Sequence, residues 1–231
     1  MDADTLIGGP NGRFPETRPS AISAAVSDDA ARRRPGQEAI VAAYWKPVYR
    51  YIRIRWRRSN EDAKDLTQGF FATAIEKEFF RGYDSRKGTF RTFLRVCLDR
   101  FLVNESKFAS RNKRSADLTP LEYDAPGGES PEEVFEREWA RSVFEDAVDE
   151  LRRSLLARGR GVCFEVFERY DLAENRTSYD DLARDFGISE SAVTNYLASA
   201  RRELRRLVLE RLRSVTSGDQ EFRRETRALL K

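Results

Sequence analysis

"SYDDLARDFGISESAVTNYLASARREL", Ser178–Leu204, holds two helical patterns separated by one glycine. Ser178 is suited to cap the first, whose Leu182, Ala183 and Phe186 form an inward stripe; Gly187 breaks it and Ile188 plugs the angle that follows. Ser189 then starts the second pattern. There Val193, Leu197, Ala200 and Leu204 recur every three or four residues, which buries one stripe and turns Thr194, Asn195, Ser199, Arg201 and Arg202 outward. Ala192 is small where the two axes approach. These are the parts of a helix-turn-helix, although the same geometry also builds purely structural corners. The closing "ARRELRR" adds a basic end that can rest on phosphates.

Outward from that pair the pattern stays helical, and the sequence predicts an all-α protein. Residues 1–36 are rich in Gly, Pro, Ser and Asp and read as a loose arm, with "SAISAAV" hinting at a short helix. From Gln37 an apolar stripe runs through Ile40, Val41, Tyr44, Val48, Tyr51 and Ile52, and Pro47 predicts a kink or a new start. A second helix opens at Ser59 or Asn60 with Glu61 and Asp62 in its first turn, and a third begins near Thr89 and buries Phe90, Phe93, Leu94, Cys97, Leu98 and Phe101. Residues 37–114 thus form one helical domain. "SADLTPLEYDAPGGESP" has three prolines, two glycines and no helical period, so 115–130 is a linker. A long helix from about Pro131 opens a second domain, 131–215, that ends in the helix pair, and 216–231 is a tail.

The chain has 231 residues, enough to bury a core in one large or two small domains. Its 42 Lys and Arg against 39 Asp and Glu leave a net charge of only +3, so distribution matters more than the sum. The signs cluster: "YRYIRIRWRR", Tyr49–Arg58, has no acid, whereas Asp117–Glu133 has no Lys or Arg. Histidine is absent, which removes the commonest general base and zinc ligand and every Ser-His or Cys-His pairing. Cys97 and Cys163 lie inside apolar helical patterns and read as buried reduced thiols, which points to the cytoplasm. The opening residues lack the basic start and apolar run of a secretory signal, and no stretch approaches a membrane span. No metal or cofactor is expected. Asp180 and Asp181, the pair that a metal nuclease would need, sit in the first turn of a helix, where capping and the helix dipole explain them.

Three stretches, "EDAKDLTQGFFATAIEK" (Glu61–Lys77), "YDSRKGTFRTFLRVCLDRFLVNE" (Tyr83–Glu105) and the opening helix pair, come in an order and at gaps that resemble the extracytoplasmic-function group of sigma factors. These are small bacterial subunits that pair a promoter-melting domain with a helix-turn-helix domain. "FPETR" (Phe14–Arg18) and "AYWKPVYRYIR" (Ala43–Arg53) are similar to the opening of one subgroup. The resemblance spans most of Tyr44–Arg206 and implies a protein that is not an enzyme: a subunit of RNA polymerase that brings the core enzyme to promoter DNA.

Carried over residue by residue, it implies that Glu61, Asp62, Asp65 and Gln68 dock on the clamp of the polymerase largest subunit, where carboxylates would meet basic side chains. Lys64 departs from the acid that the family carries there. Tyr83, Arg86, Lys87, Arg91, Arg95, Asp99, Asn104 and Lys107 would hold the minus-ten element; aromatics for stacking interleaved with cations for phosphates suit a single strand. Asp99 corresponds to a position lining a flipped-base pocket. The acidic linker would thread the path built for RNA. Ser191, Thr194, Asn195 and Ser199 would read the minus-thirty-five element, Asn195 by bidentate contact with adenine, and Arg201, Arg202 and Arg205 would clamp phosphates.

The alternative is a free-standing helix-turn-helix regulator, which binds duplex DNA without core polymerase. Control could come from an anti-sigma protein or from a serine/threonine kinase. Thr67 lies three residues after Lys64, and a phosphate there would add about −1.5 to −2 charges to offset the lysine on a shared surface. The tail "SGDQEFRRETRALLK" places Phe222, Thr226, Leu229 and Leu230 on one face of a helix too short to stand alone, which predicts docking on one of the two domains.

Overall fold

The computed structural model describes residues 20–111, 129–175 and 177–229, with the side chains of 109–111 left aside. Among the described residues there are nine α-helices and no strand. They are α1 (Ala21–Ala25), α2 (Ala30–Arg55), α3 (Asn60–Glu76), α4 (Phe90–Arg111), α5 (Pro131–Ala157), α6 (Gly161–Phe167), α7 (Tyr179–Phe186), α8 (Glu190–Ser214) and α9 (Asp219–Leu229). A 3-10 turn, Phe79–Gly82, follows α3, and a π turn, Glu168–Leu172, extends α6. None of the described helices is long and apolar enough to cross a membrane.

Part of the expected loose arm is helical. α1 follows Ser20, whose hydroxyl accepts from the Ser23 amide, and α2 starts at Ala30, earlier than Gln37, because Asp29 accepts from the Ala31 amide and caps it. α1 folds back so closely on α2 that a Cβ at Gly36 would stand 2.4 Å from the Ala25 nitrogen. Only glycine permits that approach. α2 is not restarted by a proline. It runs through Pro35 and Pro47 as one helix, since Tyr44, Val48, Tyr51 and Ile52 stay buried on both sides of Pro47. The "FPETR" segment and the whole of 112–128, which holds the 114/115 boundary and most of the linker, lie outside the described residues.

α5 begins where the sequence predicts, at Pro131, fixed by a capping box in which the Ser130 hydroxyl accepts from the Glu133 amide and the Glu133 carboxylate from the Ser130 amide. It packs lengthwise on α2, and this joins the two halves. Tyr51 meets Phe135 edge to face with centroids 5.5 Å apart, flanked by Lys46–Asp146 at 2.8 Å and Arg50–Glu145 at 2.9 Å. The hydrophobic interior is one contiguous cluster drawn from both halves. Two helical domains joined by an acidic linker were expected; across that division the α2 stripe serves α3 on one side and α5 on the other. On α5 Phe144 is exposed, while Glu138 and Ser142 take buried positions. Both thiols are free; Cys163 is buried and Cys97 half-buried, and burial raises both above the ordinary thiol pKa.

Phe135 is 1% exposed and sits at the joint between the halves. Phe135→Ala is expected to cost about 3–5 kcal/mol in urea unfolding of the full chain. A loss under about 1 kcal/mol would mean that the α2–α5 joint contributes little to the fold.

Candidate nucleic-acid and protein interface

The α7–α8 pair is built from hydrogen bonds that its sequence supplies. The Ser178 hydroxyl accepts from the Asp181 amide, and the Ser189 hydroxyl from the Ala192 amide, so each helix has its own cap. Between them Gly187 takes φ +62°, its amide donates to Arg184, and the Ile188 amide reaches back to the Ala183 carbonyl at 2.9 Å. This is a Schellman ending, which glycine adopts without Cβ strain. Asp180 and Asp181 pair with Arg184, and Asp181 also accepts from Ser178, so both acids serve the helix start.

The outer face of α8 divides into engaged and open side chains. Arg201 is exposed, as expected, but engaged: it pairs bidentately with Asp171 at 2.8 Å on both arms and tethers α8 to the π turn. Ser199 is half-buried and accepts from Arg160, which draws it away from the reading face. Thr194 is exposed, but its hydroxyl donates to the Glu190 carbonyl. Ser191 is exposed beside Ser189. Asn195, Arg202 and Arg205 are exposed, and among the described residues no hydrogen bond or ion pair involves them. Residues 191, 195, 202 and 205 line one side of the helix.

On α3, Glu61, Asp62, Asp65 and Gln68 are all exposed. Two are already occupied. Asp62 accepts from the Ser59 hydroxyl at 2.7 Å as part of the helix start, and Glu61 faces Lys64 at 3.4 Å. Asp65 and Gln68 have no partner among the described residues. Thr67 corrects an expectation: it is fully buried and its hydroxyl donates to the Ala63 carbonyl at 2.7 Å. Position 67 falls four after buried Ala63 and three before buried Phe70, so it belongs to the stripe against the core and not to the surface that carries Lys64.

The minus-ten residues are brought together only in part. Tyr83 packs edge to face on Phe90 at 5.2 Å and tilted on Phe93 at 5.6 Å, and its hydroxyl meets the Gly88 carbonyl and Glu221 at 3.2 Å each. Burial, with a smaller push from Glu221, takes its pKa up to about 12. Arg91, expected among the minus-ten contacts, is buried: its guanidinium lies 4.0 Å over the Trp139 ring, bonds Glu136 and stands 2.6 Å from Glu225. Arg95 bonds Asp99 at 2.9 Å with Glu132 at 3.6 Å. Asp99 also accepts from the Tyr51 hydroxyl at 2.8 Å, and burial raises its pKa despite those donors. Arg86 folds onto Asp84, whose carboxyl it holds down to about 2. Lys87, Asn104 and Lys107 are exposed.

Trp139 falls on the inward stripe of the helix from Pro131, but three other residues central to this site, Glu136, Glu221 and Glu225, escaped the reading of the sequence. The signal for the last two was acids one turn apart in a tail whose arginines lie elsewhere on the helix. Comparison with protein-family models, with curated proteins and with solved structures gives no significant match.

Because Thr67 is enclosed, Thr67→Glu is expected to lose roughly 3 kcal/mol or more of stability by burying an unpaired carboxylate, while Thr67→Val changes it by about 1 kcal/mol or less. Thermal unfolding of both variants measures this. A Thr67→Glu chain as stable as wild type would place the side chain in solvent.

Proposed function

We propose that the chain is a sigma subunit of bacterial RNA polymerase, with residues 37–114 joining core enzyme and the minus-ten element, 115–130 linking, and 131–215 reading the minus-thirty-five element through a helix-turn-helix. The observation that carries this reading is a pair of open faces of opposite character on one chain. α8 offers Asn195, Arg202 and Arg205 with no internal partner, and α3 offers Asp65 and Gln68.

The α8 face has the chemistry of DNA recognition: an amide that can pair with an adenine edge, and guanidiniums a turn further on for phosphates. The α3 face has the opposite sense. An exposed carboxylate surface repels DNA and suits a basic protein surface, such as a polymerase clamp. A free-standing regulator needs only the first face, so the second supports the sigma reading. Arg201 falls out of the set of phosphate contacts, and Asp65 becomes the main docking acid because Asp62 is held in the α3 cap. A kinase acting on Thr67 would need α3 to lift from the core first, and an anti-sigma protein would compete for either face.

Co-sedimentation with purified core RNA polymerase tests the reading. Wild type is expected to travel with core enzyme, and Asp65→Arg to lose at least about tenfold in affinity, the equivalent of 1.4 kcal/mol. A chain that never joins core enzyme and binds duplex DNA alone would be the regulator.

On the DNA side, Asn195→Ala is expected to relax preference at one base pair by about 1–3 kcal/mol, whereas Arg202→Ala weakens all sequences alike and lowers the salt slope by about one. Binding titrations against a promoter library at two salt concentrations separate them. Identical losses at every site for both variants would refute the assigned roles.

A further inference from the structure

The α4 surface assigned to the melted strand is already filled from within the chain. α9 sets two carboxylates, one turn apart, against the start of α4. Glu221 accepts from the Phe90 amide at 2.9 Å and the Tyr83 hydroxyl at 3.2 Å with one oxygen, and from the Ser217 amide and hydroxyl at 2.7 and 2.6 Å with the other. Glu225 stands 2.6 Å from the buried Arg91 guanidinium.

The contact chemistry is that of phosphate recognition. A helix-start amide, a tyrosine hydroxyl and a guanidinium are donors that nucleic-acid backbones use, and a carboxylate is the side chain that best imitates the phosphate oxygens. Phe222 and Leu229 pack against the core and are half-buried, while the fully buried residues of α9 are the two acids, Glu221 and Glu225.

The fit is not optimised for permanence. Glu225 meets Arg91 through Oε2 alone, Oε1 and the Thr226 hydroxyl have no hydrogen-bond partner, and burial raises the Glu225 pKa above the usual carboxylate range. An eleven-residue helix has little stability of its own, so α9 persists only while docked.

We propose that α9 is an autoinhibitory latch: Glu221 and Glu225 occupy the donors at Tyr83, Phe90 and Arg91 that the melted DNA strand uses, so the chain is closed to that strand until α9 leaves. This rests on the sigma-subunit reading for the identity of the strand. The occupied donors, the buried acids and the unsatisfied atoms are independent of it.

The test uses the full chain with Glu221→Lys and Glu225→Lys together. A control with Glu76→Lys and Asp149→Lys makes the same charge change at exposed sites away from α9. The readouts are amide hydrogen exchange across residues 90–95 and affinity for an oligothymidine of about 20 nucleotides. The latch predicts that both rise by about tenfold in the α9 variant, while the control gains less than about threefold in affinity. Ser217→Ala, which removes one Glu221 donor without altering charge, moves both in the same direction by less. Faster exchange without tighter binding, no change in either, or an equal gain by the control each overturns the latch. If the α9 variant gains affinity as predicted but no form joins core polymerase, the latch stands and the sigma reading falls.

Discussion

A single guanidinium, that of Arg91, holds three helices in register. It is 8% exposed, with an indole face from α5 at 4.0 Å, a bidentate carboxylate from the same helix and a second carboxylate from α9 at 2.6 Å. A charge this deep is tolerable only while its partners stay. The arrangement therefore works as a whole: withdrawing α9 leaves Arg91 with Glu136 and Trp139, and withdrawing Arg91 would leave Glu225 enclosed without a counter-charge. Arg50, Lys46 and Arg95 extend the same logic along the joint, each meeting an acid of α5.

That joint decides which polar groups remain for other molecules. The basic run around Tyr49–Arg58 is not a free cationic surface, since Arg50 serves Glu138 and Glu145 and Tyr51 lies in the core. The open groups are left at the periphery, on the outer side of α3 and along α8. A protein that spends its central cations on its own acids can keep its halves together in solution.

Much of the fold was legible because it is written in local signals. Ser178 and Ser189 cap the helices they were expected to start, Ser59 rather than Asn60 caps α3, and Gly187 sits in the left-handed conformation that its place between two stripes implies. The α8 stripe of Val193, Leu197, Ala200 and Leu204 is buried as its spacing requires. What escaped was non-local. Periodicity cannot show that Arg91 faces Trp139 or that Glu221 caps a helix 131 residues earlier in the chain. It also misassigned Thr67, whose polar character suggested a surface that its position in the stripe denies, and it could not show that the exposed Arg201 pairs with Asp171. Within the candidate site, the open polar groups of α8 were thus visible in advance and the closure of the α4 surface by α9 was not.

The proposed sigma role is tested by 5′-end mapping of transcripts made by bacterial core polymerase on genomic DNA, with and without the full-length protein. A sigma subunit produces a new set of 5′ ends that appears only with the protein and shares two upstream sequence elements. The same 5′ ends with and without the protein would refute that role.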